Sequence, residues 1–336
     1  MQSPSIQNNR LKKSHTVFWS VLSVLLIGTA IYIWLNIQYL TDWVNYQVYD
    51  PPETIVEINE DSGMTEAGTF AFYTAQPTLD GTRTFNAKCD RKEQNTAILG
   101  CYADNKIYIF YVDEEKLNGI HEVTAVHEML HVVYHRMSSA DKERINELLE
   151  VEAEKLETNK EFADRMDFYA RTEPGERYNE LHSIIATEVS DISQALEEHY
   201  AKYFDRQVIL DLYKSYKNEF QKLEKRAEDL KKQVDTLSAN IEKAKKKYAE
   251  DIKDLDRDIN SFNSRANNGE FDSQAQFDAE RVALINRTEK LKADRSKINS
   301  MVTKYNKLIK QHNDLITESN ALYQSIDSSL APAPSI

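Results

Sequence analysis

The 336-residue chain lacks a surplus of basic residues. Its 42 lysines and arginines stand against 55 aspartates and glutamates, and the formal net charge is -13. The basic residues are interleaved with acidic ones and form no patch along the sequence. Because binding to nucleic-acid phosphates needs a basic face, this balance argues against nucleic acid as a partner.

Cysteine is also scarce, since only Cys89 and Cys101 occur. The polar segment between them, DRKEQNTAILG, could turn back on itself, so in an oxidising exterior the pair could close a short loop as one disulfide. In a reducing compartment, two free buried thiols are the alternative.

Charge is absent from residues 17–35, VFWSVLSVLLIGTAIYIWL, which form a long apolar run. At ~1.5 Å per residue, about 20 such residues span a bilayer core of ~30 Å. Trp19 and Trp34 lie near the two ends of the run, where interfacial aromatic residues are common. We therefore predict a transmembrane helix over residues 17–40, with a cleaved signal peptide as the alternative.

The charges on the two sides of this run differ in sign. The first sixteen residues contain three basic side chains and no acidic one, whereas Asp42 and Asp50 follow the run. The positive-inside rule then leaves residues 1–16 as a cytoplasmic tail. We therefore predict a single-pass membrane protein in which the residues after the helix lie on the extracytoplasmic side.

Residues 127–131 read HEMLH, inside a segment, 119–136, that is patterned as one helix. Residues four apart lie on the same face of a helix, so His127 and His131 can occupy neighbouring corners of one tetrahedral zinc site. The carboxylate of Glu128 can reach the open corner and act as general base on a water whose pKa zinc lowers toward ~7. The alternative interpretation is two ordinary helix histidines and a solvated carboxylate.

Strand-forming segments precede this helix. Residues 69–74, 96–102 and 106–112 are rich in β-branched and aromatic side chains, with turn signals between them. They predict a small, mostly antiparallel sheet that ends in a hairpin, with Lys106 to Val112 as the candidate edge strand. Helices are predicted over 36–49, 53–59 and 138–193, the last interrupted at Pro174-Gly175. The fold class is α+β, with this domain over residues 41–205.

Beyond residue 206 the pattern changes to that of a coiled coil, with apolar spacings that alternate between three and four. Asn267-Asn268-Gly269 marks a turn. The returning helix carries two apolar rows, one through Phe277, Leu284, Leu291, Ile298, Tyr305 and His312 and the other through Val302, Ile309, Ile316 and Tyr323. We predict an antiparallel helical hairpin over 206–327, with arms of about 55 residues or ~80 Å. Residues 328–336 are predicted to be a disordered tail.

Catalytic zinc usually has a third protein ligand, and the predicted helix 176–192, ERYNELHSIIATEVSDI, offers Glu180, His182 and Glu188. At about 100° per residue, Glu188 lies within the apolar stripe of this helix, whereas Glu180 lies at its edge. A carboxylate in an apolar stripe needs a partner or a metal, which favours Glu188.

The HEMLH helix followed by Asn179-Glu180 on a second helix resembles the thermolysin-like metallopeptidases, the gluzincins. The resemblance implies a zincin-like domain, Zn2+ as cofactor and Glu180 as third ligand, with Glu188 and His182 left as alternatives. The family commonly has an aspartate four residues after the ligand glutamate, as a partner for a ligand histidine. This chain has Ile184 there, so Asp191 is the substitute that we expect.

These patterns together predict a membrane-anchored zinc metallopeptidase, a hydrolase acting on peptides or proteins outside the membrane. The substrate would pair as an extended strand along the sheet edge. The alternative is a non-catalytic adaptor or structural protein with an inactive zincin domain, in which the coiled coil binds a protein partner or a second copy of the chain.

Overall fold

A computed structural model describes residues 8–89 and 97–329. The start of the predicted tail 1–16, the first residue of the predicted strand 96–102 and all but the first two residues of the predicted tail 328–336 fall outside the described residues. The chain divides into two compact units, Met1–Tyr216 with Ser325–Ile336, and Lys217–Gln324. The division after Tyr216 lies eleven residues beyond the predicted domain boundary.

Four helices form the N-terminal part: α1 (Asn8–Leu35), α2 (Ile37–Val48), α3 (Glu53–Asp61) and α4 (Glu66–Thr74). Among the described residues, α1 is the helix long and apolar enough to cross a membrane, and a signal sequence near an N-terminus would pass the same test. Helices α2 and α3 confirm the helices predicted over 36–49 and 53–59.

The strand predicted over 69–74 is wrong, because these residues belong to α4. Thr65 caps this helix by accepting a hydrogen bond from the amide of Gly68 (3.2 Å). A Cβ on Gly68 would lie 1.9 Å from the carbonyl oxygen of Tyr203, so α4 packs there with no room for a side chain. Capping and packing therefore override the β-propensity of the aromatic residues.

The sheet has three strands, β1 (Thr78–Asp80), β2 (Gly100–Ala103) and β3 (Lys106–Phe110), in the order β1-β3-β2. Strand β3 pairs parallel with β1 and antiparallel with β2, so the sheet is mixed. The predicted hairpin is β2-β3, closed by Asp104 and Asn105 with φ of 52° and 61°. The prediction of Lys106 to Val112 as the edge strand is wrong, since β3 is central and β2 lies at the edge. The short β1 carries no alternating pattern and was not predicted.

Six further helices complete the first unit up to residue 200: α5 (Thr82–Asn86), α6 (Ile120–Arg136), α7 (Ser139–Leu156), α8 (Lys160–Thr172), α9 (Arg177–Glu188) and α10 (Gln194–Tyr200). Helix α6 lies at the centre and packs against α9, α4 and the sheet. Its buried face supplies Val126, Met129 and Leu130 to a core that Leu181 and Ile185 enter from α9. The helix predicted as far as Ile192 ends at Glu188, because Val189 is extended.

Cys89 and Cys101 form a disulfide, with their Cα atoms 5.9 Å apart. Of the two states that the sequence left open, the structure therefore contains the bonded pair. The bond ties the edge strand β2 to the segment just after α5.

Helices α11 (Arg206–Asn268) and α12 (Gln274–Ile326) provide the second unit. Within this unit the two helices run antiparallel, because Phe220 packs on Tyr323 and Phe262 packs on Phe277, with ring centroids 4.9 and 5.1 Å apart. The buried positions of α12 are Ile298, Leu308, Leu315 and Leu322. The predicted second row through Ile316 and Tyr323 is one position off, since the preceding residues Leu315 and Leu322 are buried whereas Ile316 and Tyr323 are 39 and 44 % exposed.

Candidate metal centre

Helix α6 brings the three residues of the HEMLH motif together. It starts after Gly119, whose φ of 95° is a conformation that favours glycine. Most residues of this helix are buried. His127, Glu128 and His131 offer ligand atoms that all lie within 4.8 Å of one another, a group found by searching the described residues. Glu128 and His131 are buried and His127 is half-buried.

Glu180 reaches both histidines from α9. Its Oε2 lies 3.8 Å from Nε2 of His127, and its Oε1 lies 3.6 Å from Nε2 of His131. These distances exceed a hydrogen bond. Two ligand atoms that each lie about 2.1 Å from a tetrahedral zinc ion are about 3.4 Å apart, so the spacing leaves room for such an ion.

Two carboxylates of this site each have one oxygen without a hydrogen-bond partner. Oε2 of Glu128 and Oε2 of Glu180 are buried and accept no hydrogen bond within the described part of the chain. A buried carboxylate oxygen without a donor is costly unless a cation or a proton compensates it. The donor set of two imidazoles and a carboxylate, with these two open oxygens, therefore fits a divalent metal such as zinc.

Asn179 orients one of the histidines. Its Oδ1 lies 3.0 Å from Nδ1 of His131, and its Nδ2 donates to Oε2 of Glu176 (3.1 Å). Because Glu176 takes the amide NH2 group, the amide oxygen faces His131 and accepts the proton on Nδ1. Nε2 of His131 is then left with a free lone pair on the side of Glu180. Asp191, which the sequence suggested for this task, is exposed instead.

Glu188 has protein partners of its own. One carboxylate oxygen forms an ion pair with Arg165 on α8, and the other accepts a hydrogen bond from the hydroxyl of Tyr213 (2.8 Å). The carboxylate in the apolar stripe is thus compensated by a cation and a phenol. No local sequence pattern indicates either partner, because both lie more than twenty residues away along the chain.

His182 also lies apart from the two metal-site histidines. It is fully buried, and its Nε2 lies 2.9 Å from Nε2 of His199. The hydroxyl of Tyr200 donates to the backbone carbonyl of His182 (3.0 Å). This group packs as core, so of the three candidates for third ligand only Glu180 is brought to both His127 and His131.

The electrostatics of the site follow from burial and from the facing charges. Burial raises the pKa of Glu128 to about 8. For Glu180, burial acts upward, but His131 and His127 outweigh it and the pKa is lowered. Burial lowers the pKa of His131. It acts in the same direction on His127, but the carboxylate of Glu180 outweighs it there and the pKa of His127 is raised. Without a cation, Glu180 is therefore the anionic carboxylate and Glu128 the protonated one near neutral pH.

The edge strand touches the carboxylate of Glu128. A Cβ added to Gly100, the first residue of β2, would lie 2.6 Å from Oε1 of Glu128 and 2.7 Å from Cγ2 of Thr124. Only glycine leaves space for the carboxylate at this position. In the sequence Gly100 is a turn signal, and no local pattern indicates its contact with Glu128.

Tyr169 on α8 is a further neighbour of the site. Burial, followed by the charge of Glu180, raises the pKa of its phenol well above the usual range. Its hydroxyl in turn helps to keep the pKa of Glu180 low. No motif in the sequence marks Tyr169, because it comes close to Glu180 only through the packing of α8 on α9.

Comparisons of the chain with protein-family models, with curated proteins and with solved structures found no match in any of the three. A function can therefore be inferred only from the residues of this chain and from their geometry.

Proposed function

We propose that this protein is a membrane-anchored zinc metallopeptidase that hydrolyses peptide bonds on the outer side of a membrane. The observation that carries the proposal is the convergence of His127, His131 and Glu180. The carboxylate oxygens of Glu180 on α9 lie 3.8 and 3.6 Å from Nε2 of His127 and of His131 on α6, close to the spacing that one tetrahedral ion requires.

These three residues would hold the metal, and Glu128 would be the general base. Zinc, when bound, would polarise the substrate carbonyl and lower the pKa of a water in its open position. Glu128 follows the proposed ligand His127 by one residue and has an oxygen without a hydrogen-bond partner, so it can take a proton from the attacking water and pass it to the leaving amine. Its raised pKa suits a group that must both accept and return a proton.

Strand β2 is the proposed place for the substrate. In the described part of the chain β2 pairs with β3 along one side, which leaves its other side available for an added strand. The contact between Gly100 and Glu128 places this edge beside the proposed base. A peptide paired with β2 would thus present its backbone carbonyls next to Glu128.

Two features support an anchored, outward-facing domain. Helix α1 has the length and composition of a membrane span, and the basic residues of the tail 1–16 before it favour a cytoplasmic N-terminus by the positive-inside rule. The disulfide between Cys89 and Cys101 is the kind of bond that persists in an oxidising exterior.

Metal analysis of the full-length protein in detergent tests the site. We expect about one zinc per chain, lost in His127→Ala. His135→Ala is a matched control, because His135 lies on the same helix outside the group of three. A wild-type protein that binds no zinc would overturn the proposal.

Cleavage of an unstructured protein such as casein tests the base. Glu128→Gln should keep zinc and lose proteolysis by roughly 10²-fold or more. Gly100→Ala should also keep zinc but slow cleavage, because the added methyl group displaces the Glu128 carboxylate. Undiminished cleavage by Glu128→Gln would show that another group is the base.

A non-catalytic adaptor is the second candidate, and one observation favours it. In the hairpin unit, Val282 and Ile285 on α12 are exposed apolar residues that could contact a protein partner or a second copy of the chain. Stable zinc binding without cleavage of any peptide would support this function. If a variant with charged residues at both Val282 and Ile285 still cleaves peptides, the exposed apolar surface is not needed for proteolysis and the activity belongs to the metal centre alone.

A further inference from the structure

Helix α2 has an outward face without charge. Its single ionisable acidic or basic residue is Asp42, which is buried. Ile37, Val44 and Val48 recur at spacings of seven and four along the opposite face, and they are 56, 49 and 67 % exposed. Trp43, at the side of this row, is 50 % exposed. A helix that faces water normally carries charged residues on such a surface.

The inward face holds α2 firmly against the first unit. Nε and Nη2 of Arg136 donate to the two oxygens of Asp42 at 2.6 and 2.8 Å. The hydroxyl of Thr74 donates to the backbone carbonyl of Asp42 (2.7 Å), and Tyr46 packs on Phe70 with ring centroids 5.3 Å apart. The apolar row therefore belongs to a fixed part of the folded unit.

We propose that this face of α2 lies in the lipid–water interface of the membrane that α1 enters. The proposal depends on the membrane anchor under Proposed function. Only Asn36 separates the end of the apolar helix α1 from α2, so α2 cannot lie far from the bilayer surface. An uncharged aliphatic row flanked by tryptophan is the surface that the headgroup region accepts.

This arrangement would set the distance between the proposed metal centre and the membrane surface. Arg136, which holds α2, follows the metal-site residue His131 by five residues on α6. Five residues of helix are about 8 Å long. Helix α2 would thus hold α6 at a fixed distance from the bilayer. The site would then act on peptide segments close to the membrane surface.

Fluorescence of Trp43 in the full-length protein tests the proposal. In Trp19→Phe/Trp34→Phe protein reconstituted in phosphatidylcholine vesicles, Trp43 is the only tryptophan. We expect lipids with a spin label near the headgroup to quench it at least about twofold more than a label deep in the acyl chain, as an interfacial side chain requires. Adding Val44→Asp and Val48→Asp should abolish this quenching while zinc content stays the same.

A matched control moves the only tryptophan to Val151, an exposed apolar residue on α7, by combining Trp43→Phe with Val151→Trp. This tryptophan should be quenched by aqueous acrylamide and not by labelled lipid. If Trp43 behaves as the control does, the proposal is wrong. Shielding of Trp43 that depends on protein density and not on labelled lipid would assign the face to a second copy instead. Zinc content and casein cleavage, measured on the same samples, separate either result from a failure of the peptidase proposal.

Discussion

A glutamate lies near each end of α9, and the two have different surroundings: Glu180 is buried and Glu188 is half-buried. Glu180, in the first turn, faces His127 and His131 and keeps one oxygen without a hydrogen-bond partner. Glu188, at the last residue, has both oxygens engaged by Arg165 and Tyr213. Burial alone therefore does not distinguish a candidate metal ligand from half of an ion pair. The two glutamates differ in whether other side chains of the chain already engage both carboxylate oxygens.

The largest expected effect is on zinc affinity. Glu180→Ala should weaken zinc binding by on the order of 10³-fold, because one of three ligands shares a binding free energy of roughly 10–16 kcal/mol. Competition with a fluorescent zinc chelator measures this loss. Glu188→Ala is the matched control on the same helix, and it should change affinity by less than about tenfold. A larger loss in Glu188→Ala than in Glu180→Ala would reverse the assignment of the third ligand.

For the free energy of unfolding, the order of the two residues should be reversed, with the larger loss at Glu188. Glu188→Gln leaves the guanidinium of Arg165 without its anion in a mostly buried position, and we expect it to cost about 3 kcal/mol of unfolding free energy. Glu180→Gln should cost less in the metal-free protein, because it removes a buried charge that lacks a hydrogen bond on one oxygen. Chemical denaturation of both variants with a chelator present gives the comparison. Equal losses would mean that Glu180 is as well paired as Glu188.

Asn179→Ala should weaken zinc binding by about 10- to 100-fold, because His131 loses the acceptor that orients its Nε2. Asn179→Asp should restore most of the affinity, since a carboxylate oxygen also accepts from Nδ1. Chelator competition is again the measurement. An affinity unchanged in Asn179→Ala would show that Ser183, whose hydroxyl lies 3.4 Å from the same nitrogen, suffices.

The smallest expected effect is on the number of protons released when zinc binds. Glu128 has a folded-state pKa of about 8, above its ordinary value, so the metal-free fold holds a proton near neutral pH that the unfolded chain does not. This contribution to stability is present at low pH and is lost as pH rises toward and through about 8. Zinc should displace about one proton at pH 7, and its affinity should rise with pH.

Calorimetry in two buffers of different ionisation heat counts the proton. Glu128→Gln should reduce the count. Glu188→Gln should leave it unchanged, because Arg165 outweighs burial and already keeps the pKa of Glu188 low. No proton release by the wild-type protein would show that Glu128 is ionised before the metal binds.

Local patterns predicted several features correctly. The helical spacing of His127 and His131 placed both on one face of α6, and Asp104-Asn105 closed the β2-β3 hairpin. These features depend on residues within a turn or two of one another. The strand predicted over 69–74 failed for the opposite reason, since α4 is stabilised by its packing at Gly68 against the carbonyl of Tyr203, more than a hundred residues later.

The sequence by itself determined the elements whose interactions are local: the apolar helix α1, the HEMLH helix, the long helices α11 and α12, and a short set of candidates for third ligand. Only the tertiary structure brings Glu180, and not Glu188, close to the two histidines, because the two glutamates differ in what α6, α8 and α11 bring to them. It also decided that β2 and not β3 lies at the sheet edge, since strand order depends on the parallel pairing with the unpredicted β1. Helical periodicity is set by neighbouring residues, whereas the partner of a buried charge is set by segments distant in the chain.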